Sequence, residues 1–191
     1  LCQLPLIVAI DRWRESYSQI APDEGAWTKI ADLSPHTPGL ITYFGKLDVN
    51  GSPQNILLTL PELFSRSNCR LLLVGGGPLR EALEIMVEAL DLGDGETLQR
   101  LAKLGKRLQG EIEEPFMEMN SYLRSLQKSE RWEEWLEKAA SCELAERVRF
   151  IGFMKEEFFS VWQRLSTVVL CPEVASATPI HSLTELLLSK V

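Results

Sequence analysis

Cys69-Arg70-Leu71-Leu72-Leu73-Val74-Gly75-Gly76-Gly77-Pro78-Leu79-Arg80-Glu81 is the stretch whose reading decides the fold. Leu71 to Val74 is a continuous apolar run of the kind buried on both faces of a parallel sheet. Gly75-Gly76-Gly77 ends that run abruptly, and Pro78 suits the first turn of a helix, where its missing N–H has no partner to lose. Leu79, Leu83, Met86, Val87 and Leu90 then give the helix one apolar stripe. The unit is a buried strand, a glycine turn and an amphipathic helix.

The same grammar extends in both directions. Upstream, Gly39-Leu40-Ile41-Thr42-Tyr43-Phe44-Gly45 is a short β-rich run, and Asn50-Gly51-Ser52-Pro53 is strong turn chemistry. Ile56, Leu57, Leu60, Leu63 and Phe64 follow at spacings that predict an amphipathic helix over 53–64. Earlier still, Leu6 to Ile10 reads as a strand, and residues 1–38 as an interdomain strand and linker rich in proline. Downstream, residues of about 95–145 are long and highly charged. Leu98, Leu101, Leu104, Leu108, Trp132, Trp135 and Leu136 recur there at helical spacings. They predict an insertion of two or three helices, interrupted at Gly110 and Pro115. Arg147 to Gly152 and Thr167 to Pro172 read as further strands, Glu156 to Leu165 as a short helix, and Leu183 to Leu188 as the start of a last one. Strands alternating with helices imply an α/β fold with a mostly parallel, Rossmann-like sheet and right-handed crossovers. The expected organisation is a linker over 1–38 and an incomplete domain over 39–191 that carries the helical insertion.

Composition narrows the function classes. The 191 residues carry a net charge of −7, which argues against a nucleic-acid surface. No stretch reaches the roughly 18 apolar residues of a membrane span. Cys2, Cys69, Cys142 and Cys171 lie far apart without a CxxC pair, and His36 and His181 are the only histidines. Neither a disulfide framework nor a metal site is expected, and reduced thiols point to a cytoplasmic setting.

Four pieces carry a resemblance: Tyr43-Phe44-Gly45-Lys46-Leu47-Asp48, Leu71 to Glu81, Arg147 to Phe153, and Thr167 to Pro172. In this order they resemble the C-terminal, donor-binding domain of retaining GT-B-type glycosyltransferases, the glycosyl transferases group 1 family. Ile10-Asp11-Arg12-Trp13 is similar to the segment that joins the two domains of such enzymes. The resemblance covers about three-quarters of the chain, all but the linker and the insertion. It implies one half of a GT-B architecture, with the N-terminal acceptor domain missing and the donor domain cut short.

The resemblance also implies the chemistry. The donor is a nucleoside-diphosphate sugar, used as substrate, with no cofactor and no obligatory metal. Negative charge grows on the departing phosphate, and positive groups aimed there stabilise the transition state. Lys46 matches the family's first-loop arginine and is the candidate catalytic cation. Gly45, Gly75, Gly76 and Gly77 let backbone turn tightly at the carboxyl ends of strands, where ligands bind in open α/β sheets. Phe153 and Met154 would contact the nucleotide base. Glu185 matches the second glutamate of the family's pair, whose carboxylate accepts hydrogen bonds from the ribose hydroxyls.

The chain also departs from the family. Val49-Asn50-Gly51-Ser52-Pro53 lacks the lysine expected about five residues after the first cation, and the first glutamate of the pair falls on Ala177. The chain by itself is therefore expected not to catalyse transfer. A second reading is a degenerate scaffold whose insertion, with exposed-looking Trp132 and Trp135, offers a surface to a protein partner. Association with a membrane periphery would come through the missing half. A dinucleotide-binding oxidoreductase fits less well, because Gly75-Gly76-Gly77-Pro78 lacks the GxGxxG spacing.

Overall fold

The structure, a computed structural model, describes residues 39–112, 114–152, 166–170 and 179–180. Four strands, β1 (Leu40–Phe44), β2 (Arg70–Val74), β3 (Val148–Gly152) and β4 (Val168–Leu170), form one sheet in the order β3-β2-β1-β4. Every neighbouring pair is parallel. The chain steps from β1 outward through β2 to β3, then returns to the other side of β1. That reversal is the topological switch point of a Rossmann-like α/β fold, and it lies between β1 and β4.

Register sorts the side chains by face. Ile41 stands opposite Leu71 and Val168, and Leu71 opposite Val148, so these share one face. Thr42, Leu72, Arg149 and Val169 share the other. All five residues of β1 and four of the five in β2 are buried, which puts both faces of the sheet centre out of water. A continuous apolar run rather than an alternating one is what such strands require.

β1 and β2 are joined by α1 (Pro53–Phe64). Between β2 and β3 run α2 (Arg80–Asp91), α3 (Gly95–Leu104), a 3-10 turn (Lys106–Gln109), α4 (Met117–Lys128), α5 (Trp132–Ala140) and the single-turn α6 (Leu144–Arg147). The insertion thus holds four α-helices and a 3-10 turn where two or three helices are predicted. The extra break is at Gly105, whose φ is 49° and where a Cβ would lie 2.0 Å from the Glu114 carbonyl oxygen. Gly110, at φ 83°, and Pro115 separate the 3-10 turn from α4, as their residue types predict. The strands predicted at 6–10 and the helices predicted over 156–165 and from 183 lie outside the described residues.

α1 corrects the amphipathic reading. Only Glu62 of its twelve residues escapes full burial, because α4 and α5 pack on the side that periodicity assigns to water. Three of its polar residues find partners around this contact. Asn55 donates through Nδ2 to Glu118 of α4, and Thr59 donates through Oγ1 to the Ile56 carbonyl. Glu62 faces three cations: Lys138 of α5 at 2.8 Å, with Arg66 and Arg131 each at 3.6 Å.

Arg147 ties the insertion to the sheet. Its guanidinium donates to the carbonyls of Cys69 (2.9 Å), Ser67 (2.6 Å), Phe64 (3.2 Å) and Cys142 (3.3 Å). It also stacks on the Phe64 ring, 3.9 Å from the centroid. One side chain thereby joins the end of α1, the start of β2 and the turn after α5. Hydrogen bonds to a charged donor contribute about 1.5–3 kcal/mol each, and carbonyls left without a donor add to the loss. Arg147→Met is expected to cost about 3 kcal/mol in urea unfolding.

Tyr122 of α4 supplies a pH test. Its ring meets Trp135 edge-on at 6.0 Å. Burial first, and the nearby Glu62 charge second, push its hydroxyl up to about 12, against the opposing Arg131 charge. A phenol raised in the folded state favours folding below its ordinary value near 10, and that contribution disappears as pH rises through 12. Between pH 10 and 12 the wild type should lose on the order of 2 kcal/mol more stability than Tyr122→Phe. Unfolding curves of the two proteins at pH 9 and 12 measure the difference.

Candidate functional site

The carboxyl ends of β1, β2 and β3 meet in a crest of glycines. The Gly45 N–H donates to the Val74 carbonyl at 3.1 Å, and the Gly75 N–H to the Gly152 carbonyl at 2.8 Å. The two loops that leave β1 and β2 are then laced together. The Leu47 N–H donates to the Gly76 carbonyl (3.2 Å), and the Leu79 N–H to the Leu47 carbonyl (3.0 Å). Such close approach leaves no room for side chains. A Cβ on Gly75, whose φ is 143°, would lie 1.9 Å from the Gly45 carbonyl oxygen, and one on Gly77 would lie 2.4 Å from the Leu47 carbonyl oxygen.

Lys46 stands beside this crest, in the loop that leaves β1 at the switch point. The Tyr43 hydroxyl donates to the Lys46 carbonyl at 2.8 Å, and Asp48 accepts the Gly51 N–H at 2.9 Å. These bonds hold the loop backbone while the Lys46 side chain is exposed. Among the described residues its ammonium forms no ion pair. The N–H groups of Lys46, Gly76 and Gly77 likewise donate to no acceptor among the described residues. A free cation and three free backbone donors, gathered where two turns touch, suit an anionic ligand.

Of the residues singled out by sequence, the structure gathers Gly45, Lys46, Gly75, Gly76 and Gly77 into this one place. Phe153, Met154 and Glu185 lie outside the described residues. Sequence reasoning passed over two more members of the crest. Gly152 adopts φ 86° at the end of β3, and a Cβ there would sit 3.5 Å from Nη1 of Arg80. Arg80 donates through Nε to Glu84 at 2.9 Å, and its guanidinium carbon lies 5.9 Å from the centroid of the Phe150 ring. A glycine ending a strand was the available signal for the first. Nothing in the spacing of Leu79-Arg80-Glu81 marks the second.

The surroundings separate this crest from other features. An open groove of about 480 Å³ runs between α2, α6 and β3, but Glu84, Glu88 and Asp91 line it and repel a phosphate. Among the described residues no group of three or more histidine, cysteine or acidic side chains is placed to hold a metal ion, and no helix is long and apolar enough to cross a membrane. Cys69 and Cys142 are free, buried thiols, and burial raises the pKa of both.

Trp132 and Trp135 do not form the exposed patch expected of them. Trp135 is 1% exposed and stacks on the half-buried Trp132 with centroids 6.0 Å apart, and Trp132 in turn lies against Gly95 at the start of α3. The charged neighbours that make their helix look solvated occupy its outer face, while the indoles turn inward. Compared with known proteins, the chain matches no family model, no curated protein and no solved structure.

Gly75 offers a clean test of the crest. Gly75→Ala combines a strained φ with a clash against fixed backbone, and is expected to cost about 3 kcal/mol. Gly110→Ala, in the left-handed region at φ 83° with nothing within 4 Å, should cost only about 1 kcal/mol. Equal losses in chemical denaturation would mean that the close packing of the two loops is unimportant.

Proposed function

We propose that this chain is the nucleotide-sugar-binding part of a glycosyltransferase that moves a sugar from a nucleoside-diphosphate donor to an acceptor with retention. One observation carries the reading. The strand order puts Gly45 and Lys46 at the switch point, where open α/β sheets bind ligands. The Lys46 cation and the N–H groups of Gly76 and Gly77, which have no partner among the described residues, make that place suited to phosphate. The family resemblance of the sequence supplies the sugar-transfer chemistry.

In this reaction the anomeric C–O bond breaks and its electron pair leaves with the nucleoside diphosphate. The acceptor oxygen forms the new bond on the same face of the sugar, and its proton passes to the departing phosphate oxygen. Lys46, held by its pinned loop, stabilises the charge that builds on the leaving phosphate. Glycines at 75–77 let the diphosphate approach backbone donors that side chains would otherwise shield. Phe153 and Met154 at the base and Glu185 at the ribose complete the proposed donor site. The acceptor is held by an N-terminal domain of the parent protein, with the cytoplasm as the compartment. The burial of Trp135 removes one of the motives for reading the insertion as a partner-binding surface.

Calorimetric titration with UDP, ADP and GDP, followed by their glucose conjugates, tests the proposal. One nucleotide is expected to saturate the protein, with Lys46→Ala weakening it about tenfold, as loss of one charge-assisted hydrogen bond implies. A folded wild type that binds none of them would overturn the reading.

A further inference from the structure

We infer that Arg80 is the second phosphate-holding cation of the crest, and that it makes the site select a diphosphate over a monophosphate. The inference rests on the nucleotide-sugar reading and adds a residue to it. Sequence reasoning leaves the site one cation short, because Val49 to Pro53 holds no lysine. The structure brings a replacement from the start of α2. Leu79 donates its N–H to the Leu47 carbonyl, so the residues next in line, Arg80 and Lys46, flank the same backbone contact.

The Arg80 head group reaches beyond that contact, over Gly152 at the end of β3. Lys46 follows the end of β1. Two strand spacings separate β1 from β3, about 10 Å, and the turn of β2 with the free N–H groups of Gly76 and Gly77 lies between them. An anion that takes both cations and rests on the glycine turn has two linked phosphoryl groups; a single phosphoryl group engages one end.

Arg80 is prepared for this task. Glu84 occupies only Nε, and the Phe150 ring supports one side of the guanidinium. Nη1 and Nη2 have no hydrogen-bond partner among the described residues, so a planar pair of N–H donors is available to phosphate oxygens. The pair with Glu84 is exposed on both sides, at 38% and 47%, and such pairs hold weakly enough to be shared with a ligand.

The test compares nucleoside di- and monophosphates. Whichever of UDP, ADP and GDP binds best is titrated beside its monophosphate into the wild type, Arg80→Ala, Arg80→Gln and Lys46→Ala, with thermal unfolding as the control for folding. In Arg80→Ala the preference for the diphosphate should fall about tenfold while monophosphate affinity changes less than about twofold. Should Arg80→Ala not fold, the ratio in Arg80→Gln decides. An unchanged ratio, or equal weakening of both ligands, overturns the role of Arg80 and leaves the nucleotide reading standing. A folded wild type that binds neither ligand overturns both.

Discussion

At the carboxyl ends of β1 and β2, two loops pass so closely that the space beside Gly75 is taken by the carbonyl of Gly45 and the space beside Gly77 by that of Leu47. The hydrogen bonds between these loops set the register in which the strands end, and so the level at which Gly152 ends β3. They also engage the carbonyls of Val74, Gly76 and Leu47 as acceptors and leave the N–H groups of Lys46, Gly76 and Gly77 without acceptors among the described residues. Close packing of backbone and suitability for an anion are therefore two results of the same steric condition. A side chain at Gly75 or Gly77 removes both.

The insertion depends on the sheet from the other direction. A helix between two parallel strands ordinarily keeps one face in water, yet α1 is covered on nearly all sides. Its burial creates polar groups that need partners. Glu118, the carbonyl of Ile56 and the cations around Glu62 provide them. Arg147 completes the arrangement, because its planar guanidinium can meet several carbonyls at once, which a lysine ammonium on a flexible stem does less well. The insertion behaves as a third layer of the domain rather than as an appendage on a loop.

Charge is arranged locally rather than globally. The chain carries −7 overall, and the groove beside α2 is acidic. Lys46 forms no ion pair among the described residues, while Arg80 stands at the edge of the acidic groove, where Glu84 takes only its Nε. A negative protein can hold a negative ligand when the cations are concentrated at one turn and backbone dipoles point the same way.

Sequence alone determined the alternation of strand and helix, because a run such as Leu71 to Val74 has no stable place except inside a parallel sheet. It also marked the ends of strands, because Gly45 and Gly75 to Gly77 interrupt apolar runs abruptly. Periodicity misplaced the outer face of α1 and the direction of Trp132 and Trp135, since it reports which residues lie on one stripe and not what later chain packs on the other. Gly105 and Arg147 were silent for the same reason: each answers to a carbonyl brought near by a distant segment. The tertiary structure alone decided that β4 returns beside β1, which places Lys46 at a switch point, and that Arg80 reaches the end of β3. Both depend on contacts between residues far apart in the chain, and local propensity carries no record of them.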